Sequence, residues 1–276
     1  MKKLLVCLLA TLLLLGAGCN AAEAPTQTET PTTEVTEPQP PRFLDDNGDG
    51  NVIWYAVGDS ITQGYYSQLD EAGKGVLKFD ANQVWSKLLA EKTGWTLNNH
   101  AVGGSGFVHK ATVLDKLSGR DHIDGIDFSQ AELVTIAFGI NDWKGNQKLG
   151  TMKDDVTTGG TIYSNMRYII EKIQKDNPDA EIVVIAPMNS SRYGLAEKGW
   201  SLGYKFSKSK TLQNVYDVME DVCKHYKLPM IDLTHNEEIN GDIQNWFPDG
   251  VHPSLEKHVR LAEILEEELK KVLPAE

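Results

Sequence analysis

Val52-Ile53-Trp54-Tyr55-Ala56-Val57 runs directly into Gly58-Asp59-Ser60-Ile61-Thr62. A continuous apolar and β-branched run reads as a strand buried on both faces, which is the signature of a parallel sheet. In open α/β sheets the loops at the carboxyl ends of the strands hold the ligand, so this run delivers Ser60 to a place where chemistry is done. Alone, Gly-Asp-Ser is also ordinary turn chemistry. Its weight comes from the company it keeps further along the chain.

Downstream, strand-like and helix-like stretches alternate. Val84, Trp85, Leu88 and Leu89 mark a helix face closed by Gly94, and Trp95 to Val102 forms a second strand leading into Gly103-Gly104-Ser105-Gly106. A third strand, Leu133 to Phe138, breaks at Gly139-Ile140-Asn141-Asp142. The face Ile162, Met166, Ile169, Ile170 and Ile173 predicts a helix that stops near Asn177-Pro178, and Glu181 to Ala186 is a fourth strand. Leu212, Val215, Met219, Val222 and Cys223 share a helix face, Met230 to Leu233 is a short fifth strand, and Leu255 to Val272 closes the chain as a helix. This alternation predicts an α/β fold with a five-stranded parallel sheet, doubly wound, with helices on both faces. The polar segment Tyr65 to Asp80 is expected to be loop, and the long Gly/Ser/aromatic segment Pro187 to Phe206 is a candidate lid.

The amino terminus addresses the compartment. Lys2 and Lys3, an apolar run from Leu4 to Leu15, and small residues before Cys19 form an export signal over residues 1–18. A cysteine after small residues resembles a bacterial lipoprotein signal, with Gly16 standing where Leu is usual. That implies lipidation of Cys19 and a membrane-anchored, extracytoplasmic protein, with simple secretion as the alternative. Residues 19–44 are rich in Thr, Pro and Glu and are expected to be a disordered tether, leaving residues 45–276 as the folded domain. Asp45 to Gly50 has the opening of a calcium loop, but Ala56 occupies its twelfth position, so a turn is expected there. With Cys7 and Cys19 removed or acylated, Cys223 has no disulfide partner and reads as a small buried hydrophobe. A net charge of -12 without a basic cluster argues against nucleic acid as a partner.

Four polar stretches fall at the ends of predicted strands: Gly58-Asp59-Ser60, Asn99 to Gly104, Gly139 to Asp142, and Asp249-Gly250-Val251-His252. Acyl transfer needs a nucleophile, a base, a group orienting the base and donors aimed at the oxyanion. Asp249 and His252, three residues apart in one loop, suit the orienter and the base for Ser60, and Pro253 suits the first position of the next helix. None of the seven histidines sits in a zinc-ligand spacing, and Ser105 lacks a Gly-x-Ser-x-Gly elbow.

In this order the four stretches resemble the blocks of the SGNH hydrolase superfamily, the GDSL-type lipases and esterases, over roughly residues 52–273. The resemblance implies a flavodoxin-like three-layer α/β/α sandwich and no metal or organic cofactor. It also implies a Ser60, His252, Asp249 triad whose oxyanion hole is the Ser60 N–H, the Gly104 N–H and the Asn141 amide. Gly103 is an adjacent alternative to Gly104, and Ala101 replaces the usual glycine of the second block. The expected function is a serine esterase acting on short acyl esters, acetyl above all, of carbohydrate. A lipase or lysophospholipase is one alternative, and a non-catalytic glycan- or lipid-binding module is another. Asp59, Trp143, Trp200 and Trp246 are expected substrate contacts, with Tyr65, Tyr193 and Tyr204 available nearby.

Overall fold

The first strand, β1 (Ile53–Gly58), lies between β4 (Thr96–Asn99) and β5 (Leu133–Ala137), with β6 (Glu181–Ile185) and β7 (Met230–Ile231) further out beyond β5. All four pairings are parallel. The structure, a computed structural model, describes residues 51–110, 118–190 and 210–273, all within the unit Pro40–Glu276. The export signal, Cys19, the tether and the Asp45 to Gly50 turn lie outside the described residues, as do Tyr193, Trp200, Tyr204 and all but residues 187–190 of the candidate lid.

Counting only the parallel strands in chain order, the sheet runs 2-1-3-4-5, which is the flavodoxin-like arrangement. Its topological switch point falls between the first and third of these strands, β1 and β5. The register pairs Gly58 with Ala137, so the chain leaves both strands at the same level. Ser60 and the Gly139 to Asp142 segment, which opens the short helix Ile140–Lys144, therefore come out side by side.

Alternation along the strands feeds two cores. Val134, Ile136, Ile182 and Val184 point to one face, where α5 (Ile162–Asp176) and α6 (Leu212–Tyr226) cover them. Leu133, Val183, Ile185 and Ile231 point to the other, under α2 (Trp85–Thr93) and α9 (Leu255–Val272). The long helices begin where side chains satisfy their first N–H groups: Thr161 and Thr211 form capping boxes with Ser164 and Asn214, and Ser254 accepts from the Lys257 N–H. Cys223 is buried in the first core, where desolvation pushes its thiol up to about 12.

Two expectations need correction. Tyr65 to Asp80 is not loop but an antiparallel hairpin, β2 (Tyr65–Leu69) and β3 (Gly75–Phe79), outside the main sheet. Its apolar residues Leu69, Leu77 and Phe79 face solvent, so no core-facing alternation announced it. Pro253 does not open the last helix either; it precedes the cap Ser254, and α9 starts at Leu255.

Candidate active site

Gly58 ends β1 because nothing larger fits: a Cβ there would meet Thr62 Oγ1 at 2.6 Å and the Ala137 carbonyl at 3.1 Å. The chain turns at once into the short helix α1 (Ser60–Gln63), capped by Asp59, whose Oδ1 accepts from the Ile61 N–H at 3.0 Å. Ser60 is the first helical residue, where backbone N–H groups lack intrahelical partners. Ser60 Oγ lies 2.9 Å from His252 Nε2, and His252 Nδ1 lies 2.7 Å from Asp249 Oδ2. The other Asp249 oxygen accepts from the Val251 and His252 N–H groups at 2.9 and 2.8 Å. Burial pushes the Asp249 carboxyl up, but its bonds with His252 and these N–H groups outweigh that and hold it below the usual range. An ionised Asp249 fixes the tautomer that leaves Nε2 bare toward Ser60.

The same local geometry occurs once more among the described residues. Asp232 and His235 have identical spacing, with His235 Nδ1 2.7 Å from Asp232 Oδ2 and the His235 N–H donating to Asp232 Oδ1 at 3.0 Å. There, however, Nε2 meets Gln213 Oε1 at 2.9 Å. The Asp-x-x-His loop builds a dyad by itself; a serine opposite Nε2 distinguishes the first from the second.

The hairpin holds the His252 loop from outside. Ser67 donates its hydroxyl to the His252 carbonyl, accepts from the Asp249 N–H at 3.3 Å, and gives its own N–H to the Pro253 carbonyl at 2.9 Å. Gly75 sits so close that a Cβ would come within 2.0 Å of the Pro248 carbonyl oxygen. These contacts join segments far apart in the sequence, and no motif signals them.

On the opposite side of Ser60, Asn99 shapes the second block: its amide donates to the Thr62 carbonyl at 2.8 Å and its oxygen accepts from the Ala101 N–H at 3.0 Å. Residues 102–105 form a turn closed by the Ser105 N–H on the Val102 carbonyl at 3.1 Å. Gly104 occupies the position in it that needs a positive φ, here 80°. The Gly103 N–H is taken by Gln63 Oε1 at 2.6 Å, whereas the Gly104 N–H has no hydrogen-bond partner among the described residues. Of the two glycines, Gly104 is thus the one with a donor to spare. The Asn141 amide donates to the Ser105 carbonyl at 2.9 Å and has only a long contact, 3.4 Å, with Asp59 Oδ2.

Asp142 ties these pieces together. Its buried carboxylate accepts from the N–H groups of Phe107, Val108 and His109 at 2.8, 2.8 and 3.0 Å. Burial pushes this carboxyl upward, with the three N–H bonds acting against the rise. Gly106 must be glycine, since its Cβ would lie 2.3 Å from Asp142 Oδ2. Asp59 is likewise buried, which raises its carboxyl to about 6.

Ser60, Tyr65, Gly104, His109, Asn141 and His252 line a cleft of about 390 Å³. A larger groove of about 1030 Å³, sharing Leu77, Lys144 and His252, continues between the hairpin and the 244–252 segment. Among the described residues no three His, Cys, Asp or Glu side chains gather as a metal site.

Two of the expected aromatic contacts, Trp143 and Trp246, are not in the cleft. Trp143 is 3% exposed and Trp246 fully buried, one in each core; large rings at strand and helix ends went inward, where they bury the most area. Asp59, 4% exposed, caps α1 and faces Asn141, so it too is a poor substrate contact. Trp200 lies outside the described residues. Tyr65 does line the cleft, with its ring centroid 6.3 Å from that of His252.

Known proteins share this sequence pattern and this architecture. The profile of the GDSL-like Lipase/Acylhydrolase family matches residues 56–259. No curated protein matches the sequence. Among solved structures, a possible lipase from Chitinophaga pinensis is 22% identical with a TM-score of 0.58, covering 80% of this chain and 98% of its own. Est24, a carbohydrate acetylesterase from Sinorhizobium meliloti, is 16% identical with a TM-score of 0.56, covering 80% of this chain and 99% of its own. The aryl esterase of M. smegmatis is also 16% identical with a TM-score of 0.56, over 80% of this chain and 100% of its own. At these identities the likeness is one of fold.

Proposed function

The chain belongs to the GDSL-like lipase/acylhydrolase family and is a carboxylic ester hydrolase, and from that premise we propose that it cleaves short-chain acyl esters, acetyl first, of a hydroxyl-rich alcohol such as a saccharide. In this reading Ser60 attacks the ester carbonyl while His252 Nε2 takes its proton and Asp249 stabilises the imidazolium. The Ser60 N–H, the Gly104 N–H and the Asn141 amide receive the oxyanion. His252 then passes its proton to the departing alcohol, and a water activated by the same base releases the acyl group from Ser60.

The observation that carries the proposal is the 2.9 Å and 2.7 Å relay from Ser60 through His252 to Asp249, set beside a donor-lined cleft. The preference for a short acyl group rests on the walls of that cleft, which among the described residues are mostly glycine and polar side chains with Leu77 as the one aliphatic member. The apolar cavity behind Asp59, about 40 Å³ as bounded by the described residues, has room for a few water-sized groups, too little for a fatty chain. With Trp143 and Trp246 withdrawn into the cores, the saccharide preference rests on this polarity and on Tyr65. The acetylesterase named among the similar structures points the same way.

One observation favours a lipid ester instead: Leu69, Leu77 and Phe79 are exposed on the hairpin that edges the cleft. Hydrolysis of p-nitrophenyl acetate, butyrate and octanoate separates the two readings. We expect acetate to be cleaved fastest, with Ser60→Ala reduced at least ~1000-fold, on the order seen when a triad nucleophile is removed. A rate that climbs steeply toward octanoate would instead favour the lipase.

A further inference from the structure

His109 is a second histidine in the cleft, and the acyl transfer makes no use of it. Its backbone N–H is held by Asp142 Oδ1 at 3.0 Å, and its ring Nδ1 lies 2.9 Å from the Gly104 carbonyl oxygen. A carbonyl oxygen only accepts, so Nδ1 carries the proton and donates. In the neutral ring, Nε2 is then a bare acceptor. No hydrogen bond reaches Nε2 among the described residues, although the ring forms part of the wall of a cleft that also holds Ser60 and Asn141.

Gly145 packs against the adjoining ring edge: a Cβ there would lie 2.3 Å from His109 Cδ2. Its backbone, at φ -79°, needs no glycine. The missing side chain leaves room for the imidazole, and also for Gln147 Nε2 and the Asn141 carbonyl, which a Cβ would meet at 2.8 and 3.1 Å.

We propose that His109 recognises the alcohol part of the substrate: Nε2 accepts a hydrogen bond from a free hydroxyl, while Nδ1 holds the Gly104 turn in place. This inference rests on the esterase reading. It narrows the substrate class to esters whose alcohol keeps unesterified hydroxyls, such as partly acylated saccharides or polyols, because an acetyl group has no hydroxyl of its own to offer. His109 is a binding and positioning residue, and no proton of the reaction passes through it.

The test uses a monoacetylated methyl pyranoside and its counterpart with the free hydroxyls methylated, with p-nitrophenyl acetate as a common reference. His109→Asn keeps a donor where Nδ1 stood, toward Gly104, and removes the acceptor at Nε2. Gly145→Ala displaces the ring without changing it. Wild type is expected to favour the free-hydroxyl ester over the methylated one by about tenfold in kcat/KM, the scale of one hydrogen bond in a binding site. Both variants should lose that preference through KM while their melting temperatures show them folded. The inference is overturned if wild type treats the two esters alike, or if the preference survives in both variants. A wild type inert toward every ester, p-nitrophenyl acetate included, overturns the esterase reading itself and this inference with it.

Discussion

Asp59 shows what the turn that carries Ser60 demands of one side chain. It caps α1, contacts Asn141 and is buried, and burial lifts its carboxyl from 3.8 to about 6. A carboxyl raised on folding favours the folded state fully below pH 3.8, and that contribution is lost as pH rises through about 6. At neutral pH and above the ionised group therefore costs about 3 kcal/mol, at ~1.36 kcal/mol per pH unit. Asp59→Asn keeps a capping oxygen and removes the charge, at the expense of the 3.4 Å contact with Asn141. Its stability relative to wild type should rise as pH goes from about 4 to about 6.5, read as the difference in melting temperature. A difference flat across that window would mean that Asp59 is not carrying a buried charge. At this scale the sequence was legible where chemistry is local: Ser60, Asn141, Asp249 and His252 each stand in a short motif beside a strand end. Trp143 and Trp246 stand beside the same motifs, yet their direction was decided by the two cores, which no short stretch encodes.

Among the elements, the β2–β3 hairpin was the least legible and has a direct hold on the site. Strands of the main sheet announce themselves by apolar runs because both of their faces are buried. The hairpin pairs two strands that turn large apolar residues to solvent, so its pattern resembles loop. Its role lies in contacts made across the chain, with Ser67 on the 249–253 segment and Gly75 against Pro248. Gly75→Ala would drive a Cβ into backbone that cannot step aside, so the hairpin must lift or the His252 loop must shift. A displacement of about 1 Å in a catalytic group costs on the order of 100-fold in rate. We expect kcat on p-nitrophenyl acetate to fall at least ~10-fold in this variant, with circular dichroism showing the main fold intact. An unchanged kcat would mean that the hairpin does not support His252.

For the whole molecule, the sheet order explains why residues 60, 104, 141 and 252 meet at all. β1 and β5 are neighbours whose outgoing segments leave the sheet at one level, and β4 on the far side of β1 brings the Gly104 turn alongside. The strand-and-helix alternation in the sequence implied this architecture, and the doubly wound topology supplies the crevice at its switch point. What the alternation could not show is which polar groups around the crevice are already committed, as with the Gly103 N–H, and which still face it. The mechanism stands or falls on Ser60 as the nucleophile, activated through His252 and Asp249. Intact-mass and peptide mapping after treatment with an alkyl fluorophosphonate, which traps an activated serine, reads this without any assumption about the substrate. We expect a single adduct on Ser60, absent in Ser60→Ala and formed at least ~100-fold more slowly in His252→Ala, on the order expected for loss of a general base. An adduct on Ser105 or any other serine, or none on a folded wild type, would contradict Ser60 as the nucleophile.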